Sequence, residues 1–164
     1  MHATDIATGA PTWVYLLLAG LVALGVRRLR TREVPVVVAL IPSAAFLIWS
    51  GLGLIGYAAR FGVAPALIAG AVGLGIGVAS AWALPEPRAA LLPGGRVRQP
   101  GSPLPLILYL GVFAIRFACG AWAAIEPARA GLATGLGIVA GLAVTARLVA
   151  GVVRWRREVA MRAI

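Results

Sequence analysis

The chain has 164 residues, 61% of them hydrophobic and only 12% charged, with a mean hydropathy of +0.95. That composition lies far outside the range of soluble domains and marks a membrane protein of single-domain length, residues 1–164. The net charge of +10 comes from 15 arginines and no lysine against five acids, but no basic stripe is interleaved with aromatics for stacking bases, so nucleic acid is not an expected partner.

The first predicted span covers about 10–30. Ile6 to Val26 is free of charge for 21 residues and runs into Arg27, Arg28, Arg30 and Arg32. A cleaved signal peptide carries its positive charge before the apolar core, so this order predicts a retained helix with its N-terminus outside. The second span, 34–58, has Pro35 in its first turn and Pro42 as an expected bend, with Arg60 in the outer loop. The third, 62–84, places Gly70, Gly73, Gly77 and Ala81 on one face, where another backbone can approach closely.

Residues 85–102, PEPRAALLPGGRVRQPGS, read as a cytoplasmic loop whose proline and glycine clusters exclude a continuous helix. Ser102 followed by Pro103 fits an N-cap with proline in the first turn, opening a fourth span over 103–125. Glu126, Pro127 and Arg129 form a tight outer turn before the fifth span, 130–155, and Arg154, Arg156, Arg157 and Arg162 follow. Eleven arginines thus fall in three inner segments, two (Arg60 and Arg129) in outer ones, and Arg116 and Arg147 within spans. This bias predicts an all-α bundle of five transmembrane helices in the inner (plasma) membrane, N-terminus out and C-terminus cytoplasmic. The aromatics fit an interfacial belt, with Trp13, Tyr15, Trp49, Tyr57, Phe61 and Trp122 toward the outside and Trp82 and Trp155 toward the inside.

Polar groups within the spans are few. Ser43, Ser50 and Tyr57 are spaced by seven along the second span, and so are Tyr109 and Arg116 along the fourth, with Cys119 one turn beyond. Both spans run from inside to outside, and at 1.5 Å of rise per residue Ser50 and Arg116 differ in depth by only about 3 Å, as do Ser43 and Tyr109. The two ladders are expected to face each other. Arginine keeps its charge, and placing it at this depth costs roughly 2.5 to 3.5 kcal/mol, so something must offset it. No acid lies inside any span, and Glu126 is ten residues from Arg116. Two readings remain open: a binding layer for a small polar or anionic solute formed by Arg116, Ser50, Tyr57, Tyr109 and Ser43, or a structural arginine tied to carbonyls or snorkelling to a headgroup.

Arg147, six residues from the inner end of its span, is expected to snorkel, and Thr134 and Thr145 to bond their own helix backbone. Gly131, Gly135, Gly137 and Gly141 give two GxxxG patterns, compatible with packing inside the monomer or with a homo-oligomer. A single cysteine and a single histidine, His2, allow neither a disulfide nor bis-histidine haem ligation within the chain, so no cofactor and no metal are expected. No catalytic constellation exists in the sequence, and the chain is not expected to be an enzyme. Expected partners are membrane lipids, a small polar or anionic solute, and either further copies of the chain or a membrane complex in which it is an accessory subunit.

The stretch Gly95 to Glu126 resembles an uncharacterised family of small bacterial inner-membrane proteins known only as a domain of unknown function. The resemblance is carried by PGS at Pro100 to Ser102, by Pro105 and Leu106, and by the basic-aromatic pair Arg116 and Phe117, with weaker matches at Gly25, the Pro42 region, Ser50 and Gly51. It implies a multi-spanning membrane protein with a basic residue in that helix and no assigned reaction. The family's residue at Arg116 is often lysine; arginine here argues against any mechanism that needs deprotonation.

Overall fold

A computed structural model describes residues 12–27, 29–84, 89–92 and 94–161. His2, Arg28, Arg88, Arg162 and the part of the first predicted span before Thr12 lie outside the described residues, as does the side chain of Trp13. Among the described residues five α-helices form the architecture: α1 (Thr12–Arg27), α2 (Val36–Phe61), α3 (Val63–Ala83), α4 (Leu104–Ile125) and α5 (Ala130–Met161). Three short strands, β1 (Arg32–Pro35), β2 (Ala90–Leu92) and β3 (Arg96–Gln99), join them at one end. The helices α2 to α5 are long and apolar enough to cross a membrane, which makes this a multi-pass membrane protein. The described part of α1, 16 residues, measures about 24 Å.

The sheet departs from the expected loop. Its order is β1-β3-β2, antiparallel throughout, with Glu33 opposite Arg98 and Val34 opposite Val97. Gly94 and Gly95 both adopt positive φ, 79° and 70°, and so turn β2 into β3 without the steric penalty a side chain would bring. Val97 points inward and is buried, while Arg96 and Arg98 are exposed. Arg98 donates to Glu33 Oε1 at 2.9 Å. Close by, the Gly101 N–H donates to Thr31 Oγ1 at 3.3 Å, and Gly101 lies against the Leu29 carbonyl. Pro35 therefore ends a strand and caps α2 rather than opening it as expected, and the helix starts at Val36. It continues unbroken through Pro42. In α4 the first helical residue is Leu104, with Pro105 in the first turn, and the Ser102 hydroxyl accepts the Leu104 N–H at 3.3 Å.

Helix α5 is the hub, packing against α2, α3 and α4, while α1 lies along α4. Lipid tails compete as well for apolar surface as other helices do, so close backbone approach drives the association. On α3, Gly73 faces Val139 and Leu142, and Gly77 faces Ala143 and Ala146. These partners rise together along both helices, so α3 and α5 are parallel. Tyr57 lies against Gly135 and Phe61 against Gly131, whereas Ser50 reaches Thr145, so α2 runs antiparallel to α5. Both glycine patterns of α5, and the glycine face of α3, are thus occupied within the chain.

This alternation gathers Arg27, Arg30, Arg32, Arg96, Arg98, Arg154, Arg156 and Arg157 at the strand-bearing end. Arg60 and Arg129 lie at the opposite end, on the Gly62 turn and the 3-10 turn Pro127–Arg129. Trp82 is exposed near the basic end with Arg154 over its ring at 5.8 Å, as an interfacial anchor would be. Tyr57 is not part of such a belt: it is buried in a core with Ala66, Ala69, Ile138 and Leu142.

Candidate functional site

Residue Arg116 leaves α4 halfway along its length, and its side chain crosses α5 toward α2. Its stem passes Gly137, where a Cβ would meet Cγ at 3.8 Å. The guanidinium then lies between two glycines. A Cβ at Gly141 would come within 3.0 Å of Nη1, and one at Gly53 within 3.3 Å of Nη2. A side chain at either position would crowd the charged group and make it shift, so the two glycines set the width of the slot. Arg116 is half-buried and makes no hydrogen bond or ion pair among the described residues.

Beside it stands a hydroxyl pair. The Cβ position of Gly141 that meets Nη1 is also 3.5 Å from Ser50 Oγ, so guanidinium and hydroxyl converge on the same point of α5. Ser50 is 2% exposed, and its Oγ lies 2.9 Å from Thr145 Oγ1. Thr145, also buried, is placed to donate to the Gly141 carbonyl of its own helix at 2.9 Å and to the Phe46 carbonyl of α2 at 3.2 Å. The first is the expected intrahelical bond. The bonds to Ser50 and Phe46 cross between helices and make Thr145 a member of the layer that sequence reasoning passed over.

The other predicted residues are distributed differently. Tyr109 is buried, with its ring stacked on Phe46 at 5.3 Å, two turns toward the basic end from Arg116. Tyr57 donates its hydroxyl to the Gly131 carbonyl at 3.1 Å, far toward the other end, and ties α2 to the start of α5. Ser43 is half-buried near the basic end of α2. The structure therefore brings Ser50 and Arg116 together and leaves Tyr109, Tyr57 and Ser43 at other levels. Cys119 flanks Gly137, where a Cβ would lie 3.6 Å from its own Cβ.

Arg147 behaves unlike Arg116, and unlike the snorkelling expectation. It is 3% exposed and donates to the carbonyls of Ser80 and Leu84 at the end of α3. Those carbonyls carry the partial negative charge of a helix C-terminus, which is where a cation is most favourable. The charge of Arg147 is thus committed to α3.

A model of a family of unknown function, DUF6622, matches residues 2–163 of the sequence. No curated protein and no solved structure matches the chain.

Proposed function

The chain belongs to the DUF6622 family of unknown function, and from its own geometry we propose a non-enzymatic inner-membrane protein that binds or passes a small polar or anionic solute at Arg116. The observation that carries this reading is a guanidinium halfway along a spanning helix, with no carboxylate or carbonyl bound to it among the described residues. Such a charge requires a counter-charge or water, and the adjacent Ser50 hydroxyl supplies a second polar group at the same level. In the proposed arrangement α1 completes five spans, with the N-terminus outside and the basic, strand-bearing end in the cytoplasm.

The alternative is an accessory or self-associating subunit docking through the small-residue faces of α3 and α5. It is less favoured, because those faces are filled by α5, Tyr57, Phe61 and Arg116 themselves.

Two experiments test the proposal. Thermal-shift screening of the purified full chain against anions, lipids and amphiphiles should find a stabilising ligand whose effect disappears in Arg116→Leu while the variant remains folded. Absence of any stabilising ligand for the wild-type protein would remove the solute reading. For topology, single cysteines at Ala128 and Gly94, placed in a Cys119→Ala background, should react with an impermeant maleimide from outside at 128 only. Labelling at 94 in intact cells would reverse the orientation.

A further inference from the structure

We infer that the Arg116 layer selects a small monovalent anion, with the Ser50 hydroxyl as its second hydrogen-bond donor; this rests on the reading of Arg116 as a binding centre. Leaving aside Arg60 at the last turn of α2 and Arg154, Arg156 and Arg157 in the terminal turns of α5, the arginines of α2 to α5 are Arg116 and Arg147, and the second is committed to the Ser80 and Leu84 carbonyls. Of the acids among the described residues, Glu33 and Glu126 lie beyond the helix ends and Glu158 lies in the terminal turns of α5. One positive charge is therefore available at this depth. A single negative charge cancels it, whereas a doubly charged ion such as sulfate would leave a net charge in the layer. The Born cost of bringing an ion out of water grows with the square of its charge, so for a divalent ion of the same size it is about four times as large.

The walls point the same way. On two sides the guanidinium lies against helix backbone, at Gly53 and Gly141, where an added Cβ would stand 3.3 and 3.0 Å from its nitrogens. Toward the basic end, two turns below Arg116, the next level is the stacked pair Phe46 and Tyr109. These boundaries suit an ion of few atoms rather than a lipid headgroup, whose acyl chains and glycerol would have to follow it to the middle of a span.

Proton accounting identifies the second donor. Thr145 has one hydroxyl proton and three neighbours able to accept it: the Gly141 carbonyl, the Phe46 carbonyl and Ser50 Oγ. When Thr145 donates to a carbonyl, Ser50 donates to Thr145. When Thr145 donates to Ser50, the Ser50 proton is free for another acceptor on the side of Gly141 where Nη1 also lies. An anion held between Nη1 and Ser50 Oγ receives a charge-assisted bond from Arg116 and one from Ser50, and neither hydroxyl is left unsatisfied.

The test uses the purified full-length protein at constant ionic strength, with gluconate as the bulky balancing anion. Chloride, nitrate and formate are titrated against sulfate, and melting temperature and intrinsic tryptophan fluorescence are recorded. The monovalent probes should give a saturable rise in melting temperature that sulfate does not. Ser50→Ala should weaken the apparent affinity about tenfold or more, Arg116→Lys should retain weakened binding, and Arg116→Gln should abolish it. Because Ser50→Ala and Arg116→Lys keep the charge, they decide the matter even if Arg116→Gln fails to fold. Sulfate binding that matches or exceeds formate and still depends on Arg116 would overturn the monovalent assignment and leave the solute reading standing. No saturable shift in the wild type, or equal shifts in Arg116→Gln, would overturn both.

Discussion

Two glycines on α3, two residues apart, allow the close approach of α3 to α5 to be measured against an internal control. A Cβ at Gly77 would run into the Ala143 carbonyl and come within 2.6 Å of Ala146 Cβ, and neither is the movable tip of a long side chain. A Cβ at Gly75 would meet nothing within 4 Å. Replacing either glycine by alanine gains helix propensity of about 0.8 to 1 kcal/mol. Only Gly77→Ala must also push α3 and α5 apart, at about 1 to 3 kcal/mol for an overpacked contact. Gly75→Ala should therefore be neutral or slightly stabilising, and Gly77→Ala should lie about 1 to 3 kcal/mol below it. The propensity gain is common to both variants and cancels in the comparison. Reversible unfolding in mixed micelles of increasing SDS fraction, followed by circular dichroism, gives the two midpoints. If they coincide, or if Gly77→Ala is the more stable, then α3 and α5 do not meet through glycine and the parallel pairing described above is wrong.

Three further expectations follow from single contacts. Arg147→Met removes the donors that hold the Leu84 and Ser80 carbonyls; it should cost about 1 to 3 kcal/mol and raise amide hydrogen exchange over residues 80–84, with α2 unchanged. Ser50→Ala and Thr145→Val should each cost about 0.5 to 1.5 kcal/mol, but the double variant should cost less than their sum, since the bond between the two hydroxyls is lost only once; strict additivity of unfolding midpoints would refute a direct contact. Arg98→Gln should cost less than about 1 kcal/mol, because its bridge to Glu33 joins side chains that are 59% and 37% exposed. That loss should shrink further in high salt.

The sequence makes the spanning helices legible because charge and hydropathy act along the chain, and each apolar run ends at an arginine or a turn. Azimuth is harder to read. With α2 to α5 apolar nearly all round, little in the pattern says which residue faces which neighbour. Arg147 illustrates this: its distance from the last apolar residue before the arginine cluster, Val153, suggests snorkelling, yet its side of the helix points it at the last carbonyls of α3. Thr145 is likewise half legible, since its bond to Gly141 is local and its contact with Ser50 depends on how α2 is rotated.

At the site, matching depths correctly placed Ser50 and Arg116 at one level. The same seven-residue spacing wrongly grouped Tyr57 with them, because a ladder along one face extends for more than two turns and its hydroxyls reach different neighbours. The sheet had a local signal that the proline and glycine clusters obscured. Arg96-Val97-Arg98-Gln99 alternates polar and apolar after a Gly-Gly turn, which is the period of a strand. What could not be read locally is its partner, since Glu33 and Arg98 are 65 residues apart in the chain.

Helix α5 touches α2, α3 and α4 and follows all three in the chain. Synthesised after them, it supplies the surface on which they are arranged, and before it arrives Arg116 has no glycine wall from Gly137 or Gly141 to lie against. A chain stopped at Arg129 would hold a mid-span cation with half its shelter missing.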